Sequence, residues 1–446
     1  MSAVKIVIVG GGSYSWGPLF IRDLVVTPEL AGSTIVLHDI DPEAMDLVYR
    51  AGQLLIQMGD YDFHFQQTGN LAKALNGADF VILTITTGRL ETMRHDLEIP
   101  AQYGIIQAVG DTVGPGGLSR GLRNIPVVVD IARQMEIHCP DAWLLNYTNP
   151  MTTLTRAVTR ETRIKTIGLC HEWLGVRWKL AKLFNTTEEA LQPRIAGVNH
   201  LIWLLDCWLD GRSLIPELHD MAAKVLSGEL DLDPDDDSLF ADHGRVKSRL
   251  LQLFGALPVA GDRHVAEFFP YFLTEATNRG QTYQVALTSV ADRYDWRAED
   301  KARLEAIVSG DVDIRPFLQE RSNEAAHSIV TALATNGRYT GIMNLPNKGQ
   351  IGNLPHDVVV ETYGVVERGG AHGISAGDLP PAIHAIVSRH VSNQELIVEA
   401  ALTGDRNLAQ QALLNDPMVM LAPETAVVML DEILEANRDY LPLFYQ

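Results

Sequence analysis

The sequence predicts an α/β fold: an N-terminal Rossmann-like, doubly wound parallel sheet with a C-terminal α+β domain. Three observations carry this. Continuous apolar strands alternate with helical stretches over residues 4–169, a triple glycine directly follows the first strand, and beyond residue 194 longer helices and a strand–turn–strand pattern take over. Uninterrupted apolar strands need cover on both faces, which intervening helices supply.

The elements follow in order. Residues 4–9 form a β-branched run that gives way to GGGSYSWGP. A second strand, 34–38, ends in Asp39, and Pro42 opens a helix to about Met58. A short strand is expected at 62–66 and a buried one at 78–85, closed by TTG. Helices are expected at 91–103 and 119–137, then strands at 142–146 and 164–169. Ligands of such sheets bind at the carboxyl ends of the strands. GGGS, Asp39, TITTG, NYTNP and GLCHE should therefore share one rim. The boundary falls after residue 194, giving halves 1–194 and 195–446. In the second half IAGVNHLIWLLDCWLDGRSL reads as strands turning at Asp210–Gly211. Helices are expected at 215–226, 238–257, 295–308 and 314–334; a Gly/Asn/Pro-rich segment, 344–362, then precedes a helical C-terminal third. The acidic run 231–238 has calcium-loop composition but lacks the glycine and closing glutamate of an EF-hand, and reads as a solvated helix-capping loop.

The chain has 446 residues, 46% hydrophobic and 21% charged, enough apolar material for a large core. Its net charge of −20 argues against nucleic-acid and anionic-membrane partners, and an anionic substrate would need its own local arginines. Cys139, Cys170 and Cys207 are too few and scattered for a disulfide framework, and no apolar run approaches a membrane span. The N-terminus enters a strand at once, without a signal-peptide pattern. A cytoplasmic protein is expected.

Gly10, Gly12 and Ser13 stand where a dinucleotide fingerprint would, although Ser15 replaces the third glycine of G-x-G-x-x-G. Asp39, at the end of the second strand, suits a ribose diol and would repel a 2′-phosphate, which favours NAD over NADP. Thr84 lies on the same rim. Cys170–His171 follows the last strand of this half, and Asn199–His200 comes thirty residues later. Thiolate and imidazole are metal ligands, but the spacing matches no compact zinc module, and both also suit a core. Arg94, Asp111 and Asn149 sit in polar segments near the rim; Asp262, His264 and Glu267 stand beside an aromatic run, where an acid's pKa rises toward neutrality.

Together VGGGS, MRHDLEIP, GDTVGPGG, the NP at 149–150, the Cys170–His171 pair, GVNH and NLPNKGQIGNLP resemble the NAD- and manganese-dependent glycoside hydrolases of family 4, along essentially the whole chain. The resemblance implies a redox route: NAD⁺ takes hydride from C3 of the sugar, a base removes the now acidic C2 proton, the aglycone leaves C1, water adds, and hydride returns. It implies Cys170 and His200 as ligands of Mn²⁺, which would bridge sugar oxygens as a Lewis acid. Arg94 and Asn149 match substrate contacts, Asp111 an acid that tunes the base, and His171 the proton donor to the leaving group. The C2 base is Asp262 or His264, since the tyrosine some members use is absent. The Cys170–His171–Glu172 form resembles the α-galacturonidase branch, with neutral α-glucosides, α-galactosides and glucuronides as alternatives. A small carbohydrate partner and a homodimer or homotetramer are expected. A 2-hydroxyacid dehydrogenase, or a non-catalytic NAD-sensing regulator, would share the N-terminal fold without such turnover.

Overall fold

The computed structural model describes residues 3–446 apart from 234, 235, 237, 239 and 320. The acidic run 231–238 thus lies partly outside the described residues. Six parallel strands come first: Lys5–Val9 (β1), Thr34–His38 (β2), His64–Gln67 (β3), Phe80–Leu83 (β4), Trp143–Asn146 (β5) and Lys165–Gly168 (β6). They lie in the order β3-β2-β1-β4-β5-β6, the doubly wound arrangement whose ligand crevice opens between β1 and β4. Alternation along β1 explains the two-faced cover. Ile6 and Ile8 pack on the side of the helices Trp16–Val25 and Pro42–Met58, while Val7 and Val9 pack with the helix Gly114–His138. Each such buried side chain contributes about 1.5–3 kcal/mol. Pro42 occupies the first turn of its helix, and the Asp41 side chain caps it by accepting from the Ala44 N–H at 3.1 Å.

The second half extends the same sheet. Gln192–Val198 (β7), Leu201–Leu209 (β8), Arg212–Ser213 (β9), Leu257–Pro258 (β10), Arg338–Pro346 (β11), Val359–Glu367 (β12) and Gly370–Gly373 (β13) are antiparallel. β11 joins β6 through Asn344 and Gly168, so the carboxyl end of β6 borders the second half.

Three expectations need correction. The 238–257 helix is only Arg245–Phe254, because Gly244 adopts a left-handed φ of 72° and the Asp262 carboxylate accepts from the Val246 and Lys247 amides that open it. The 314–334 helix is two, Arg315–Gln319 and Ala326–Ala334. Between them the Ser322 N–H and hydroxyl donate to Asp23, and such side-chain bonds compete with helix. The segment 344–362 is no mere separator: it ends β11 and begins β12, where Val358–Val360 are buried as a sheet requires. The turn at Asp210–Gly211 is as expected, and His200 makes a second one, with φ of 64°.

Candidate active site

The glycine loop folds back over the end of β2. The Gly10 and Gly11 amides both donate to the His38 carbonyl, at 2.9 and 3.0 Å. Gly10 has φ of 88°, and a Cβ there would overlap the Thr84 carbonyl oxygen, so only glycine fits. Asp39 binds the loop through Oδ2, which accepts from the Gly12 N–H at 2.8 Å, and Oδ1 accepts from Asp41 N–H at 2.9 Å. A carboxylate offers about four acceptor positions, so lone pairs remain for a ribose diol. Ser13 Oγ accepts from the Trp16 amide. The Tyr14 and Ser15 amides find no protein acceptor among the described residues. They head the helix Trp16–Val25, where an anion is stabilised. This set fits a dinucleotide pyrophosphate.

Across the rim, Asp111, His200 and His264 place donor atoms within 4.8 Å of one another. The loop before helix Gly114–His138 carries Asp111, the β7–β8 turn carries His200, and the helix Asp262–Glu267 carries His264. Thr112 Oγ donates to Asp111 Oδ1 at 2.7 Å and lies 2.8 Å from His200 Nδ1. A hydroxyl has one proton, so His200 Nδ1–H must donate to Thr112, which leaves Nε2 as a bare lone pair. Burial, with His264 stacked at 3.8 Å, pushes the His200 pKa down to about 3, keeping it neutral. Burial opposes ionisation of Asp111, yet His264, His200 and Arg120 hold it well below the usual carboxylate range. Asn149 Nδ2 donates to Asp111 Oδ2 at 3.0 Å.

His264 Nδ1 is buried without a partner, and so is Asn149 Oδ1. The bare Nε2 of neutral His200 and the anionic Asp111 carboxylate are donors that fit a divalent cation, and the unpartnered His264 Nδ1 beside them is left to accept a proton. Cys170, just past the end of β6, is not among these three donors; burial and then Glu361 push the pKa of its thiol up. Asn199, which precedes His200, donates to Glu361 Oε2 at 3.2 Å, and Glu361 also acts on the Cys170 thiol. Holding a cation there would offset the cost of ionising the thiol.

His171 stands at the mouth, half-exposed, with Nδ1 2.9 Å from Glu324 Oε1. That hydrogen bond pushes its pKa up to about 9. Glu172 lies 3.9 Å from His264 Nε2 and accepts from the Gly261 amide at 2.6 Å. Despite burial, His264, His171 and His200 hold it down to about 2.

Arg94 and Asp262 also stand outside the cluster. Arg94 lies on the exposed side of helix Arg89–Gln102, 3.8 and 3.9 Å from Glu91 and Glu98. Asp262 is buried behind His264, its carboxylate taken by the Val246 and Lys247 amides at 2.9 and 3.1 Å. Sequence reasoning gave no role to Thr112, Arg120, Glu324 or Glu361, and took Glu172 only as a marker of substrate class. Thr112 and Arg120 lie in or just beyond GDTVGPGG and Glu172 follows His171, so position could have found them. Nothing local marks Glu324, which the break before Ala326 brings to His171.

A model of family 4 glycosyl hydrolases matches residues 5–186, and one of the C-terminal domain of that family matches residues 195–419. The chain belongs to this family. It is therefore a glycosidase. An α-galacturonidase of Bacillus subtilis is 34% identical over 445 residues, 98% of each chain. A B. subtilis protein whose crystal structure is described as a glucosidase is 33% identical, with a TM-score of 0.91 over 97% of this chain and all of that one. A 6-phospho-α-glucosidase from gut microorganisms, solved with NAD and Mn²⁺, shares the fold at a TM-score of 0.83 and 23% identity, over 99% of each chain. Among the described residues no helix is long and apolar enough to cross a membrane.

Proposed function

We propose that this family 4 glycosidase releases terminal α-linked galacturonic acid, using NAD⁺ and Mn²⁺, as a cytoplasmic homodimer or homotetramer. Residues 1–194 form the NAD-binding half, which also carries Cys170, Arg94 and Asn149, and 195–446 form the substrate- and metal-binding half, which brings His200 and the base. The carrying observation is that the Asp111–His200–His264 cluster and Cys170 stand on the same strand-end rim as the glycine loop. When bound, NAD⁺ supplies an acceptor for the C3 hydride of the sugar, which acidifies C2–H, and the divalent metal supplies a Lewis acid.

Gly10, Gly12, Ser13, Asp39 and Thr84 hold the dinucleotide, and Cys170 and His200 hold the metal. Thr112 fixes the His200 tautomer that offers Nε2. His264 is the better placed of the two base candidates, because its Nδ1 is free and faces the cluster while both Asp262 carboxylate oxygens are engaged. Asp262 then orients the helix on which His264 sits. Asp111 is the anion beside that base. His171, kept protonated at neutral pH by Glu324, donates to the departing aglycone oxygen. Asn149 binds a sugar hydroxyl through its free Oδ1, and Arg94 matches a substrate contact of the family.

Nitrophenyl α-galacturonide and α-galactoside, assayed with NAD⁺, Mn²⁺ and a reductant, test this. Faster cleavage of the galacturonide without net NADH is expected. Undiminished cleavage after NAD⁺ removal and chelation, or preference for the galactoside, would refute it; light scattering reports the assembly.

A further inference from the structure

We propose that Arg293, with Arg263 beside it, receives the carboxylate of the uronic acid ring; this rests on the galacturonidase reading above. Both arginines are tied to the loop that ends in Asp111. Arg293 Nη2 donates to the Val109 carbonyl at 2.8 Å. Arg263 Nη1 donates to Thr288 Oγ1 at 2.6 Å, and the Thr288 amide donates to the Ala108 carbonyl at 2.9 Å. Arg263 directly precedes His264, with its guanidinium 5.0 Å from the Phe240 ring, and the Asp111 carboxylate acts on both arginines.

Neither arginine makes an ion pair within 4 Å among the described residues, and Arg293 Nε is buried with no partner at all. Burial without a counter-ion is costly, and it pulls the Arg293 pKa down to about 10. Glu172 and Asp111 act on Arg263, and Asp111 on Arg293, but neither carboxylate comes within 4 Å of these guanidinium groups among the described residues. Asp111 is engaged by Thr112 and Asn149. Glu267 Oε1 accepts from the Val109 and Gly110 amides, both at 2.8 Å, and burial pushes its pKa up to about 8, so it is largely protonated at neutral pH. Arg120 has other duties: Nε donates to the Asn149 carbonyl and Nη2 to Thr86 Oγ1.

A pair of arginines with no direct counter-ion, in a chain of net charge −20, is what a uronate requires, because the overall field repels it and only local charge can seat it. A guanidinium presents paired N–H donors that match both carboxylate oxygens. The CH₂OH of a neutral hexose leaves those charges unpaired, so the same pocket discriminates against it.

The test is the ratio of kcat/KM on nitrophenyl α-galacturonide to that on nitrophenyl α-galactoside, measured with NAD⁺ and Mn²⁺ for the wild-type protein, Arg293→Met, Arg293→Lys and Arg263→Gln. Each loss of a charge-assisted contact should lower the ratio about 10- to 100-fold, with Arg293→Lys between wild type and Arg293→Met. Calorimetric affinity for free galacturonate should fall in parallel. A wild-type ratio well above one that neither Arg293→Met nor Arg263→Gln moves would overturn the carboxylate pocket and leave the substrate reading standing. A wild-type ratio below one would overturn both.

Discussion

Glu267 should make the protein less stable as pH rises, and Glu267→Gln should remove that dependence. Its carboxyl is fully buried; Oε1 accepts from the Val109 and Gly110 amides while Oε2 has no partner. Burial pushes its pKa up to about 8, against about 4.3 for an unperturbed glutamate. The folded state therefore binds more protons than the unfolded one throughout that window. Stability from this group is fully present below about pH 4.3 and is lost as pH rises through about 8, at about 1.4 kcal/mol per unit. Between pH 5 and 7.5 the difference reaches about 3 kcal/mol. Glutamine keeps Oε1 for the two amides but places an N–H₂ where Oε2 has no partner, at a cost of about 1–3 kcal/mol. The two effects separate cleanly, because the second is independent of pH and the first is not. Urea unfolding followed by tryptophan fluorescence at pH 5, 6.5 and 7.5 measures both. The variant should be less stable than wild type at pH 5 and draw level or pass it by pH 7.5. Stability differences that stay constant across the three pH values would refute the argument.

Gly10→Ala combines a left-handed φ with overlap on the Thr84 carbonyl, so it should cost about 1–2 kcal/mol from the backbone alone and weaken NAD⁺ binding at least about tenfold, as calorimetry would record. Cys170→Ser and His200→Ala should each abolish Mn²⁺-dependent turnover while circular dichroism stays native, since the strands around them are held by the sheet ladder; near-native turnover in both would contradict the metal assignment. Glu324→Ala should lower kcat/KM about 10- to 100-fold by freeing His171, and less for aryl glycosides with an activated leaving group.

The parallel half was legible because local signals dominate there: β-branched runs buried on both faces, Pro42 at a helix start, a triple glycine at a tight strand–helix turn. All of the rim segments named from sequence do end parallel strands or follow them directly. The second half was less legible because its elements are set by distant contacts. Asp262 shortens a helix from sixteen residues downstream, and Asp23 interrupts one from 299 residues upstream. In the sequence Asp23 looks like an ordinary surface charge, and Asp262 reads as a candidate base rather than as a helix cap. The strands β11 and β12 were obscured by Gly, Asn and Pro at the turn between them, which mark loops locally whatever flanks them. For the site, motif residues converge near one rim, but the partners that set their chemistry, Thr112 for His200 and Glu324 for His171, are remote in sequence.

The most direct test of the mechanism is the fate of the C2 hydrogen. A glycosidase that displaces at C1 with two carboxylates leaves C2–H intact. Elimination after C3 oxidation must break it, and a base at the position of His264 returns a proton drawn from solvent. Turnover of an α-galacturonide in D₂O, with the product read by proton NMR before spontaneous exchange, should show deuterium at C2 of the released galacturonic acid. Full retention of protium at C2 over many turnovers would contradict the account.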